Sequence, residues 1–218
     1  MRKIDKSQQL STVYQAWENG LTKHPSYNSS NGEYYTDIVM DALRCQNGLC
    51  AYTEVQLCPP QYLTADNWKD GRYKDTIERR VHNGQLEHFD ERLKWKDKAN
   101  YEHKDWLWSN FFVIDSDTNI RKNDKAVDYI LKPDSNDYDP FKLLEYSLAT
   151  HYYIANTDLD EPKRQKITNM IEILGLNFPN VVDKRRQVVE RIIKYPLTEG
   201  VENQFPTAVE FYKKNQNA

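Results

Sequence analysis

The segment Trp108-Ser109-Asn110-Phe111-Phe112-Val113-Ile114-Asp115-Ser116-Asp117-Thr118-Asn119-Ile120-Arg121-Lys122 decides how the chain is read, because it breaks the helical periodicity found on either side of it. Its apolar centre, Phe111 to Ile114, has a counterpart at Leu49 to Val55, and charged stretches separate the two. Apolar runs this short predict small β-hairpins joined by long loops between Leu49 and Asn123. Such loops carry function more often than core. On the N-terminal side, Ser7 is placed to cap a helix with Leu10, Val13, Tyr14 and Trp17 on one face, ended by Gly20. His24 to Gly32 reads as a loop and Glu33 to Arg44 as a second helix, stopped by Gln46-Asn47-Gly48. On the C-terminal side, Asp134 to Pro140 is rich in turn residues, and the aromatic and β-branched content of Phe141 to Ile154 predicts strands. A helix starts at Glu161-Pro162, carries Ile167, Met170, Ile171 and Leu174, and closes at Gly175. Another runs from about Asn180 to Pro196 with Val182, Val189 and Ile193 inward, and a last one spans Thr207 to Lys213. The expected class is α+β, mainly helical, in three regions: 1–48, 49–132 and 133–218.

With 218 residues and 39% apolar content the chain can build one large domain or two small ones. A net charge of -3 gives no global field that would gather nucleic acid, so any such binding must be local or assisted by a partner. Cys45, Cys50 and Cys58 are an odd number in one short stretch, unlike a secreted disulfide framework, and point to a reducing cytoplasm. No apolar run approaches the roughly 18 residues of a membrane span, and no membrane partner is expected.

One constellation carries chemistry: Glu87 beside His88, Asn110 after an aromatic residue, and Asn119 ahead of Arg121 and Lys122. Cutting a phosphodiester needs an activated water, a group to take its proton, and positive charge near the phosphate. His88 is the candidate base, provided a neighbour fixes its tautomer. Glu87 and the amide oxygen of Asn119 would satisfy a magnesium ion, which accepts one or two protein oxygens and keeps its other waters. On a strand Glu87 and His88 would point to opposite sides, so a bend or strand end is expected there. Asn110 is placed to brace the loop that carries His88. Lys122, with Arg121 and Lys125, would meet backbone phosphates.

Cys50-Ala51-Tyr52-Thr53-Glu54, Glu87-His88-Phe89, Trp108-Ser109-Asn110-Phe111 and Thr118-Asn119 with Lys122 together resemble the HNH endonucleases. The resemblance implies a ββα-metal unit with a histidine base, a structural asparagine and a final metal-binding His or Asn. The opening Met1-Arg2-Lys3-Ile4, Asp139-Pro140, and the tail from Ile167-Thr168 through Ile173-Leu174-Gly175-Leu176-Asn177 to Arg185 narrow it to the PtuB family. These are HNH subunits of Septu and retron anti-phage systems. The resemblance thus implies an effector held in check by a PtuA-type ATPase of the ABC or SMC kind, with a retron reverse transcriptase and its msDNA as further partners. It implies DNA, or tRNA or another structured RNA, as the substrate. Family members frame the ββα unit with two Cys-x-x-Cys knuckles on a structural zinc; here the positions read Cys50 and Thr53, then Asp115 and Thr118. A single thiolate cannot make a tetrahedral zinc site, so zinc is expected to be absent, with Tyr52, Trp108, Phe111 and Phe112 packing in its place. Glu91 stands where a proline commonly follows the family's histidine.

Competing readings attach to each residue. An isolated histidine is usually a surface or core-edge residue, as His24, His82, His103 and His151 illustrate, and isolated asparagines are usually turn residues. Arg72, Lys74, Arg79, Arg80, Lys94, Lys96 and Lys98 are interleaved with Tyr73, Trp95 and Tyr101, a mixture that suits unpaired bases and phosphates. It equally suits a solvated face diluted by Asp70, Asp75, Glu78, Asp90 and Asp97. The alternative function is a non-catalytic nucleic-acid or partner-binding subunit with a decayed HNH unit.

Overall fold

The computed structural model describes residues 1–28, 32–74, 81–94, 103–195 and 204–216. In chain order its elements are α1 (Thr12–Asn19), α2 (Tyr35–Cys45), β1 (Trp68–Lys69), β2 (Arg72–Tyr73), β3 (Gln85–His88), β4 (Phe111–Ile114), α3 (Ser116–Lys122), α4 (Pro140–Leu143), β5 (Leu144–Tyr146), β6 (Tyr153–Ala155), α5 (Glu161–Ile173), α6 (Pro179–Lys194) and α7 (Pro206–Gln216). Helices dominate, and the described strands form three separate antiparallel pairs, β1-β2, β3-β4 and β5-β6. The class is α+β.

Four consecutive apolar residues leave no face for water, and β4 is buried on both. Its inner edge pairs with β3 in the register Gln85↔Ile114, Leu86↔Val113, Glu87↔Phe112 and His88↔Phe111. Its outer edge is satisfied by a side chain: Gln46, just beyond α2, accepts from Val113 N at 2.9 Å and donates to Val113 O at 2.7 Å, while Ala51 N donates to the same carbonyl at 3.1 Å. Thus α2 lies along β4 and α3 along β3. Leu49 to Val55, expected as a hairpin, is instead a tight turn with one bridge, Leu49↔Gln56, and Glu54 at φ +64°.

Two helix boundaries differ from the sequence reading. The first helix begins at Thr12 and not near Ser7, because the buried carboxylate of Asp41 takes the amides of Leu10 and Ser11 at 2.8 Å and holds that stretch extended. In the 141–154 region Asp139 accepts from Phe141 N at 3.0 Å and Pro140 presets the backbone, so the short helix α4 precedes the β5-β6 hairpin. The helix α5 is capped by Asp160, which accepts from Lys163 N at 2.9 Å, and it ends where Gly175 takes φ +71° and Leu176 N returns to Ile171 O. On α6 the inward stripe is Val181, Val182, Arg185, Val188, Val189 and Ile192; Ile193, expected inward, is 42% exposed.

One apolar cluster runs from Met1 and Ile4 through β4 to Phe205 and Ala208, drawing on all three expected regions. Among the described residues no helix is long and apolar enough to cross a membrane.

Candidate functional site

Strand alternation sends the side chains of Glu87 and His88 to opposite faces of the β3-β4 hairpin, and β3 ends at His88. Glu87 faces α3. Its carboxylate meets the Lys122 ammonium in an ion pair, and that ammonium also donates to His88 O at 3.1 Å. Both side chains are almost completely buried, at 3% and 0% exposure. Burial pushes the Glu87 carboxyl up to about 7 although Lys122 pulls it the other way. Three residues back along the same face of α3, Asn119 donates from Nδ2 to Gln85 Oε1 at 2.8 Å. The helix therefore lays Asn119 over Gln85 and Lys122 over Glu87.

His88 lies on the other side, edge-on to Tyr27 and Phe111 with ring centroids 4.6 and 4.8 Å away. Its Nε2 is 2.8 Å from the main-chain carbonyl of Asp105, an acceptor only, so the proton belongs on Nε2 and Nδ1 keeps its lone pair. Burial, reinforced by the nearby Lys94 charge, pushes the imidazole down to about 3, and the ring is neutral at any physiological pH. Asn110 clamps the turn after His88: Oδ1 accepts from Asp90 N at 2.8 Å, Nδ2 donates to Asp90 O at 3.0 Å, and Asn110 O accepts from Phe89 N at 2.9 Å. Asp90 in turn holds Arg92 and, at 3.0 Å, the hydroxyl of Tyr129.

The structure therefore brings Glu87, Asn119 and Lys122 to one seam and leaves the His88 imidazole on the opposite face, with only its main-chain oxygen in the seam. Lys122, expected to meet phosphate, is a correction: it is fully buried because Glu87 needs a cation there. Arg121 and Lys125 are exposed, and Arg121 stacks 4.3 Å over Phe178. Lys94 is half-buried, paired with Glu91 at 3.4 Å and 5.3 Å from the Tyr27 ring. Lys96 and Lys98, with Trp95, Tyr101, Arg79 and Arg80, lie outside the described residues. Asp105, Tyr27 and Gln85 were not singled out by sequence. A main-chain carbonyl has no residue signature, and Tyr27 reaches His88 from a loop 61 positions earlier.

With the ammonium against Glu87 the seam does not fit an added divalent ion. The donors for magnesium would be one carboxylate and one amide, and the carboxylate already holds a positive charge. No group of three or more His, Cys, Asp or Glu able to hold a metal occurs among the described residues.

A second cluster lies at the start of α3. Asp115 caps this helix, accepting at Oδ1 from Thr118 N at 2.9 Å. Its Oδ2 accepts from Thr118 Oγ1 at 2.8 Å, Thr53 Oγ1 at 3.1 Å and Cys50 Sγ at 3.3 Å. Burial pushes the Cys50 thiol up to about 12, which keeps it a protonated donor. One thiol, two hydroxyls and a carboxylate do not make a zinc set. Cys58 instead points at Pro59 O, and Cys45 sits beside Arg44, so the three thiols share no site.

No protein-family model matches the chain, and comparison with curated proteins gives no match.

Proposed function

We propose that this chain is an HNH-type endonuclease that hydrolyses nucleic-acid phosphodiester bonds, acting as the effector subunit of a bacterial anti-phage complex with a PtuA-type ATPase. The observation that carries the reading is the meeting of Cys50, Thr53, Asp115 and Thr118 around one carboxylate. The family resemblance pairs these four positions as zinc knuckles across a gap of more than sixty residues, and a chance match of short motifs has no reason to bring them together. The strand–strand–helix order of β3, β4 and α3, with His88 at the end of the first strand, supports the same reading.

In this reading His88 takes the proton of the attacking water at Nδ1. Asp105 O fixes the tautomer, and Asn110 holds the turn that follows. In the closed form burial leaves the neutral imidazole a weak base, and water admitted when a partner opens the site would bring its basicity back toward the working range. Glu87, on the opposite face and held by Lys122, would join the site only after a rearrangement that a partner brings about. The Tyr27 ring against the imidazole and the buried Glu87–Lys122 pair describe a closed site, which suits an effector kept inactive until its partner opens it. The substrate is DNA or a structured RNA such as tRNA.

The test is to incubate the assembled complex with duplex DNA and with total tRNA, side by side, using the wild type and His88→Ala. The expected result is cleavage of one substrate and a loss of at least about 100-fold in the variant, with assembly unchanged. The same burial of Glu87, His88 and Lys122 favours a second reading, a binding subunit with a decayed centre. A His88→Ala complex that still cuts or still protects cells would decide against the nuclease.

A further inference from the structure

We propose that residues 24–27 form a strap that lies over His88 as a lid, so that substrate reaches the imidazole only when the strap lifts. The inference rests on the nuclease reading of His88 and names what closes that site. His88 is buried, and the Tyr27 ring packs edge-on against it with centroids 4.6 Å apart. Tyr27 itself is half-buried, and a half-buried ring set on a buried one stands between it and water. Trp106, with its ring centroid 5.0 Å away, and the Lys94 ammonium, 5.3 Å from the Tyr27 centroid, hold the ring in that place. Of residues 22–28 only His24 and Tyr27 are partly buried, and the others are exposed, so the strap is anchored at two points.

Three hydrogen bonds tie the strap to residues 103–106. His24 N donates to His103 O at 3.0 Å, Trp106 N donates to His24 Nδ1 at 2.9 Å, and Tyr27 N donates to Asp105 Oδ1 at 3.2 Å. Asp105 divides its groups between two tasks: the carboxylate takes the strap, while the main-chain carbonyl holds His88 Nε2 at 2.8 Å. The strap can therefore leave without disturbing the bond that fixes the tautomer of the base. A cleft of about 560 Å3, lined by Trp17, Leu21, Lys23, His24 and His103 among others, borders the strap and leaves it unpacked on that flank. A segment with so few buried apolar contacts opens locally, at far smaller cost than unfolding the β3-β4 core beneath it. The lid thus separates two conditions of one site: a base already held in the correct tautomer, and a base that substrate can reach.

Diethyl pyrocarbonate labelling of the full chain at neutral pH, read residue by residue by mass spectrometry, tests this. Labelling at His88 scales with the fraction of molecules in which the imidazole is uncovered. Tyr27→Ala is expected to raise it at least about tenfold over wild type, and Tyr27→Phe, which keeps the ring, to leave it unchanged. His151, buried elsewhere, should label alike in all three. His88 labelling that is equal in wild type and Tyr27→Ala would overturn the lid. The wild-type complex, assayed on duplex DNA and total tRNA, tests the nuclease reading separately. Cutting together with unchanged His88 labelling overturns the lid alone; raised labelling without cutting leaves the lid standing and brings the nuclease down. Hydrogen exchange of the wild type tests the strap as a unit and decides the matter should Tyr27→Ala fail to fold. The amides of His24, Tyr27 and Trp106 should exchange together and at least about tenfold faster than those of Phe89 and Val113 in the core. Protection of the strap amides equal to that of Phe89 and Val113 overturns the lid.

Discussion

Glu87 and His88 adjoin each other and respond to acid in opposite ways. Burial lowers His88 from 6.5 to about 3 and raises Glu87 from 4.5 to about 7. Between pH 3 and 6.5 the unfolded chain binds a proton at His88 that the folded chain refuses, so this residue makes stability rise with pH. Between pH 4.5 and 7 the raised Glu87 carboxyl works the other way, keeping in the folded chain a proton that the unfolded chain has released, so its contribution falls with pH. The two oppose each other where these windows overlap. His88→Asn should expose the falling limb, seen as urea midpoints that decline from pH 4.5 to 6.5 relative to wild type; midpoints that track wild type would contradict this. Asn110→Ala removes both bonds to the main chain of Asp90 and leaves a buried N–H and C=O unpaired, an expected loss of about 2–4 kcal/mol in the same assay. The types of these residues were legible in sequence: a histidine beside a carboxylate, an asparagine after an aromatic. Their surroundings were not. A lysine near a helix end reads as solvated, and only the buried carboxylate across the seam makes Lys122 an inward residue.

The helices most visible in sequence were those whose boundaries are set locally: α2 by its apolar face, α5 by Asp160, Pro162 and Gly175, α6 by Pro179. The start of α1 could not be read, because Asp41, some thirty positions away, takes the amides that a helical turn would have used. At α3 the resemblance located four positions without showing that a carboxylate would gather them. That gathering predicts an engineering result. Thr53→Cys/Asp115→Cys/Thr118→Cys, together with the native Cys50, is expected to bind one zinc ion per chain by atomic absorption and to acquire a melting temperature that falls on chelation. In the wild type chelation should leave the melting temperature unchanged. A triple variant that folds yet takes up no zinc would show that the four side chains approach Asp115 from directions incompatible with a tetrahedron.

Across the whole molecule the contacts that close the fold converge on Glu54. The α-amino group of Met1 is buried 3.4 Å from its carboxylate, Thr207 donates to it through both amide and hydroxyl, and Tyr138 OH reaches Met1 O. The expected regions 1–48, 49–132 and 133–218 all contribute to this point, so one cooperative unfolding transition is expected by calorimetry. Glu54→Gln weakens the buried hydrogen bonds to Thr207 and should cost about 1–3 kcal/mol, measurable as a lower melting temperature with the transition still single. Two resolved transitions would mean that the regions hold themselves together independently. The position of this carboxylate also affects the order of events during synthesis. Its hydroxyl partner lies 153 residues downstream, which at the usual 5–20 residues per second is a delay of roughly 8–30 s on the ribosome. Until then the nascent chain holds the Glu54 carboxylate without its two Thr207 bonds, so the packing around it can be completed only after the C-terminal helix has emerged.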